Sequence, residues 1–290
     1  MSRTLFTLVR GTWARTRSST IELDCVAERR AVLTVVSPAK SLDFTSKLPT
    51  RKHTLPRLAE HTVELVTTMA AKTPAEIGAL MSISSMLAEL NFDRFQEWQP
   101  TFTRKNARPA MLAFAGDTYI GLDALATFSE RDYTHAQKVL RLLSGLHGVL
   151  RPLDLIQPYR LEMGSRLQTD RGRDLYQFWG DRITDVLNAD LAESPGPAVL
   201  VNLASQEYFG AVRTAKLDAT VITPTFLDPK DGGGHHVVSF FAKRARGAMA
   251  GWIVRNRIHS ARALRDFDGL GYAFNAERST RGAPVFVRNG

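Results

Sequence analysis

Gly145 and Gly148 stand three residues apart in RLLSGLHGVLRP, residues 141–152, with Lys138, Arg141 and Arg151 around them. Glycines in such a turn can adopt positive φ and present backbone amides that bind phosphate oxygens. The flanking cations would add long-range attraction. On this reading Gly145, Leu146, His147 and Gly148 form the tip of a helix–hairpin–helix element. It would grip the backbone of duplex or branched DNA without reading sequence. The glycine spacing departs from the usual hairpin, and a plain structural pair of helices fits the pattern somewhat better.

A second basic group sits in SFFAKRARGAMAGWIVRNR, where Lys243, Arg244 and Arg246 precede Arg255 and Arg257. It reads equally as a phosphate-facing stripe or as a solvated helix face. With no aromatic interleaving, stacking of single strands is not indicated.

Ser37 and Lys40 have the Ser-x-x-Lys spacing that pairs a nucleophile with an amine in some hydrolases. The companion motifs SDN and KTG are missing, which argues against a serine hydrolase. Both residues nevertheless follow an apolar run that reads as a strand, and α/β folds place ligands at strand ends. Tyr159, Arg160 and Glu162 in YRLEMG, with Asn202, Ser205, Glu207 and Tyr208 in NLASQEYF, put polar groups beside apolar segments. Burial there would shift their pKa values, as an enzyme pocket needs, although structural ion pairing explains such groups nearly as well. The adjacent His235 and His236 follow three glycines, and no third ligand lies at metal spacing. Neither a metal nor a cofactor is expected.

Several function classes fall away on composition. The chain of 290 residues has 38 Lys and Arg against 29 acidic residues, a net charge of +9 that favours an anionic partner. Cys25 is the single cysteine, so an internal disulfide, a thiolate zinc site and an iron–sulfur cluster are excluded. The longest apolar runs fall short of a membrane span. A cytoplasmic protein is expected, with a monomer favoured. Residues 1–31 carry six Arg and three acids, leaving +6 on the remainder. They read as a disordered basic extension or a start assigned too far upstream, and a transit peptide is the weaker alternative.

The elements that must position these groups begin at Val32. VLTVVS reads as a buried strand. Helical periodicity covers residues 55–98, with Thr73, Pro74 and Glu76 marking a helix start. AMLAFAGDTY reads as a strand entering a turn. Helices are predicted over 134–143, 174–191 and 243–258, and strands at PAVLVNLAS, ATVITPTFLD and HHVVSFFA. YAFN and PVFVR suggest a terminal hairpin. Without repeats or a linker, residues 32–290 read as one compact mixed α/β (α+β) domain.

SPAKSLDF, LSGLHGVLRPLDLIQPYRLEMG, DLYQFWGDRIT, VNLASQEYF and SFFAKRARGAMAGWIVRNR, taken together and in order, resemble the bacterial peroxide stress protein YaaA family. The resemblance runs from about Val32 almost to the C-terminus, and residues 1–31 have no counterpart in it. It implies a cytoplasmic protein that protects against hydrogen peroxide by keeping unincorporated iron low. It also implies binding of duplex and branched DNA, and a distinctive α/β fold containing a helix–hairpin–helix element, placed here at residues 141–164. No reaction is attached to the family. Two expectations stand side by side: a DNA-binding stress protein, or an enzyme using Ser37, Lys40, Arg160, Glu162, Asn202, Glu207 and Lys243.

Overall fold

Val32–Val36 is apolar apart from one threonine, and such a run is suited to a strand covered on both faces. In the computed structural model, which describes residues 32–193 and 198–288, Leu33–Val36 is a fully buried strand. Leu140–Ser144 and Val199–Leu203 lie on either side of it, both parallel. Thr34 stands opposite Leu140 on one side and Val201 on the other. Thr220–Ile222 extends the sheet in parallel, and Gly148–Leu150 closes the opposite edge antiparallel. Because the inner strands run the same way, Ser37, Ser144 and Ala204 emerge at one edge of the five-stranded sheet.

A second sheet of four strands runs in the order His235–His236, Thr225–Pro229, Val285–Arg288, Tyr272–Asn275. Phe226, Phe267, Tyr272 and Phe286 fill its buried face, with ring centroids 5.3–6.1 Å apart among their contacting pairs. The terminal hairpin forms as expected, with Phe274 opposite Phe286. The result is a mixed α/β fold in one compact domain.

Helices surround the sheets. Ala59–Ala70, Pro74–Met81 and Ser85–Glu97 account for the periodic region. Thr73 and Glu76 close a capping box, each side chain satisfying the other residue's backbone amide. The long helix Ser239–Arg255 crosses Asp117–Leu122 at backbone contact. A Cβ on Gly247 would lie 1.7 Å from the Thr118 carbonyl oxygen, and one on Gly121 only 2.0 Å from that of Arg244.

The predicted elements differ from the observed ones at several places. The segment expected as a helix–hairpin–helix forms the strand pair Leu140–Ser144 and Gly148–Leu150, and residues 141–150 are all buried. Its preceding helix ends at Val139, not Leu143. The helix predicted over 174–191 breaks at Gly180, whose φ of +53° begins the bend between Leu175–Trp179 and Arg182–Ala192. ATVITPTFLD divides into Thr220–Ile222 and Thr225–Pro229, strands of different sheets, because Pro224 interrupts the run. HHVVSFFA keeps only two strand residues before the helix starts at Ser239, and AMLAFAGDTY is mostly short helices with the two-residue strand Phe114–Ala115. The basic extension 1–31 and Cys25 lie outside the described residues. Among the described residues no helix is long and apolar enough to cross a membrane.

Candidate functional site at the ends of the parallel strands

Ser37 and Ser205 are far apart in sequence, and the parallel pairing of Leu33–Val36 with Val199–Leu203 brings them together. The Ser205 amide donates to Ser37 Oγ at 2.9 Å, and Ser37 Oγ donates to Ser205 Oγ at 3.4 Å. Ser205 in turn caps the short helix Gln206–Phe209. Asn202 shapes the strand exit. Its Oδ1 accepts from the Ala204 amide at 3.0 Å while its Nδ2 donates to Thr223 Oγ1 at 3.4 Å.

The YRLEMG loop supplies the facing wall. Glu162 Oε1 is held by Arg160, with Nη2 at 2.9 Å and Nε at 3.1 Å, and by Lys40 Nζ at 3.2 Å. Two cations on one carboxylate oxygen tie the loop after the first strand to the loop that precedes Gly164. Glu207 Oε1 accepts from the Gly164 amide at 3.0 Å. Tyr159 and Tyr208 are buried beneath these groups. Burial raises the Tyr159 phenol, only partly offset by its bond with Ser144. Burial, reinforced by the nearby carboxylates of Glu207 and Glu162, raises that of Tyr208. Both hydroxyls therefore stay protonated and serve as neutral hydrogen-bonding groups. Tyr119, which sequence reasoning missed, donates to the Ser37 carbonyl at 3.1 Å and is raised by burial as well.

Ser37, Lys40, Tyr159, Arg160, Glu162, Asn202, Ser205, Glu207 and Tyr208 thus converge. The arrangement can hold a polar ligand, yet it is not an activated nucleophile. Lys40 pairs with Glu162, and the bonds of Ser37 Oγ run to Ser205, so among the described residues no base is hydrogen-bonded to the hydroxyl.

The basic residues expected to touch DNA divide into two groups. Arg141 is 4% exposed and its guanidinium is spent on Asp190 and on backbone carbonyls of Gln137 and Leu140. Leu146 and His147 are buried, and the His147 amide donates to Ser144 Oγ at 3.0 Å. Trp179 Nε1 donates to the Gly145 carbonyl, and the Leu161 carbonyl oxygen lies 2.2 Å from where a Gly145 Cβ would be. Gly148 has the anticipated positive φ, but Trp179 covers it. Tertiary packing therefore turns this segment into the interior, away from a phosphate. Arg151 is engaged by Asp154 and the Leu55 carbonyl. Arg246 is partly buried, and that burial lowers its pKa. Lys138, Lys243 and Arg244 are exposed, and no carboxylate of the described residues pairs with them. No group of three His, Cys, Asp or Glu able to hold a metal occurs among the described residues.

A cleft of about 920 Å³ lies between the segments 44–48, 94–108 and 157–158, with Arg94, Arg104, Lys105 and Arg108 in its wall. Its signal was present in RFQEWQPTFTRKNARP, where Phe95, Trp98 and Phe102 lie between Arg94 and the cations Arg104, Lys105 and Arg108.

A family model described as peroxide stress protein YaaA matches residues 32–278. The chain belongs to that family. The span shared with the YaaA family contains the strand-end cluster, the basic cleft and the helix bearing Lys243 and Arg244. Membership gives the coarse role of a peroxide stress protein.

Proposed function

We propose that this peroxide stress protein limits intracellular free iron and contacts the DNA backbone without sequence selection. The observation supporting the DNA contact is the pair Lys243 and Arg244, exposed side by side on a helix with no carboxylate partner among the described residues. Cations so placed attract phosphates by releasing condensed counterions. Low free iron enters the proposal through family membership, with no residue assigned to it. The decisive measurement is anisotropy of a labelled duplex titrated at several salt concentrations. Changing Lys243 and Arg244 together to Ala should weaken binding and flatten the log–log salt slope by about two units. The melting temperature should hold. Unchanged affinity and slope would remove this face from the proposal.

A second reading rests on the convergence of Lys40, Arg160 and Glu162 beside Ser37 and Ser205: an enzyme acting on a polar substrate there. Glu162→Gln should then abolish peroxide protection in cells while leaving DNA affinity intact.

A further inference from the structure

The cleft walled by residues 94–108 has an unusual account of donors and acceptors. Its amide groups satisfy one another: Gln157 Nε2 donates to the Gln99 carbonyl at 2.6 Å, and the Gln99 amide to Gln157 Oε1 at 3.1 Å. Asn106 Nδ2 is likewise taken by the Thr101 carbonyl and by Gln99 Oε1. What remains unsatisfied is donors and positive charge. Arg108 is 5% exposed; its Nε and Nη1 donate to the carbonyls of Leu112 and Ser46. Among the described residues its Nη2 has no hydrogen-bond acceptor, and the carboxylate of Asp43 stands at 3.8 Å. Trp98 Nε1 is buried and also lacks an acceptor among the described residues.

Arg104 and Lys105 are exposed on the same wall and pair with no carboxylate of the described residues. Half-buried Arg94 contributes a fourth cation, its pKa lowered first by burial and then by the charge of Arg160. Among the described residues Glu97 is the one acidic residue in the lining. Four cations along one wall repel, and an anion in the cleft would relieve that repulsion.

We infer that this cleft is a binding site for a small organic phosphate of nucleoside-phosphate size. Arg104, Lys105 and half-buried Arg94 would take its phosphate groups, Arg108 would add its charge from beneath the wall, and Trp98 and Phe44 would border its flat ring. Guanidinium forks match phosphate oxygens in geometry as well as charge. The volume of about 920 Å³ lies near the top of the range of small-ligand sites.

Calorimetric titration with ADP tests this, with adenosine and a short DNA duplex as further arms. ADP should bind saturably at one per chain, and adenosine should not bind measurably. Changing Arg104 and Lys105 together to Ala should weaken ADP by about tenfold or more with the melting temperature unchanged. The Lys243 and Arg244 double substitution should leave ADP binding alone, which separates this site from the proposed DNA face. Absence of ADP binding at millimolar concentration, or equal affinity in the Arg104/Lys105 variant, overturns the inference. Displacement of ADP by the duplex does so too, since it would make the cleft a nucleic-acid groove.

Discussion

Arg141 Nε donates to Asp190 Oδ2 at 2.6 Å inside the protein, joining an inner strand of the sheet to the helix Arg182–Ala192. Arg57 grips both oxygens of the same carboxylate at 2.8 Å. Arg141→Met should cost about 3–5 kcal/mol, because it leaves a buried carboxylate with half its partners. Urea denaturation measures the loss. DNA affinity of the folded variant should equal that of wild type, whereas a loss of DNA binding with stability intact would return Arg141 to the surface role expected of it from sequence.

Acid should weaken the protein well before carboxylates titrate. Burial lowers His147 to about 3, and burial, then the charges of Arg257 and Lys138, lowers His135 to about 4. An unfolded histidine takes up its proton below about pH 6.5, while these two resist protonation in the fold, so stability falls as pH drops through that window. The contribution of His147 should reach about 3–5 kcal/mol by the acid end. His147→Leu should therefore lose less stability than wild type between about pH 6.5 and about pH 4.5. Parallel declines in chemical denaturation would show that His147 is not the source.

Gly247→Ala tests the close helix crossing. On an open helix face this change would gain about 1 kcal/mol. Here the new Cβ meets the Thr118 carbonyl, a backbone atom that cannot swing aside, so a loss of at least about 1–3 kcal/mol is expected. A stability gain would show that the two helices are not held at backbone contact.

Local signals were legible where local chemistry decides. Thr73, Pro74 and Glu76 announced a capped helix because all the groups involved lie within one turn. The strand Leu33–Val36 and the terminal hairpin were equally readable from their apolar runs. RLLSGLHGVL misled for a physical reason. Its Leu and Arg favour helix, and a short apolar run has no periodicity to separate a buried helix from a buried strand. Pairing of Val35 with Arg141 and of Val36 with Leu142 decided the matter, and Val35 and Val36 lie far outside the segment.

The residue types at the strand ends, and their places after apolar runs, were determined by the sequence alone, as was the basic character of the chain. Which cations are free was not. Arg141 and Lys138 sit three residues apart, yet one faces Asp190 in the interior and the other faces water. Lys40 meets Glu162, and Ser37 meets Ser205, only because parallel strands carry distant loops to a common edge. Charge is a property of composition, but its availability depends on which partners the folded chain brings within hydrogen-bond reach.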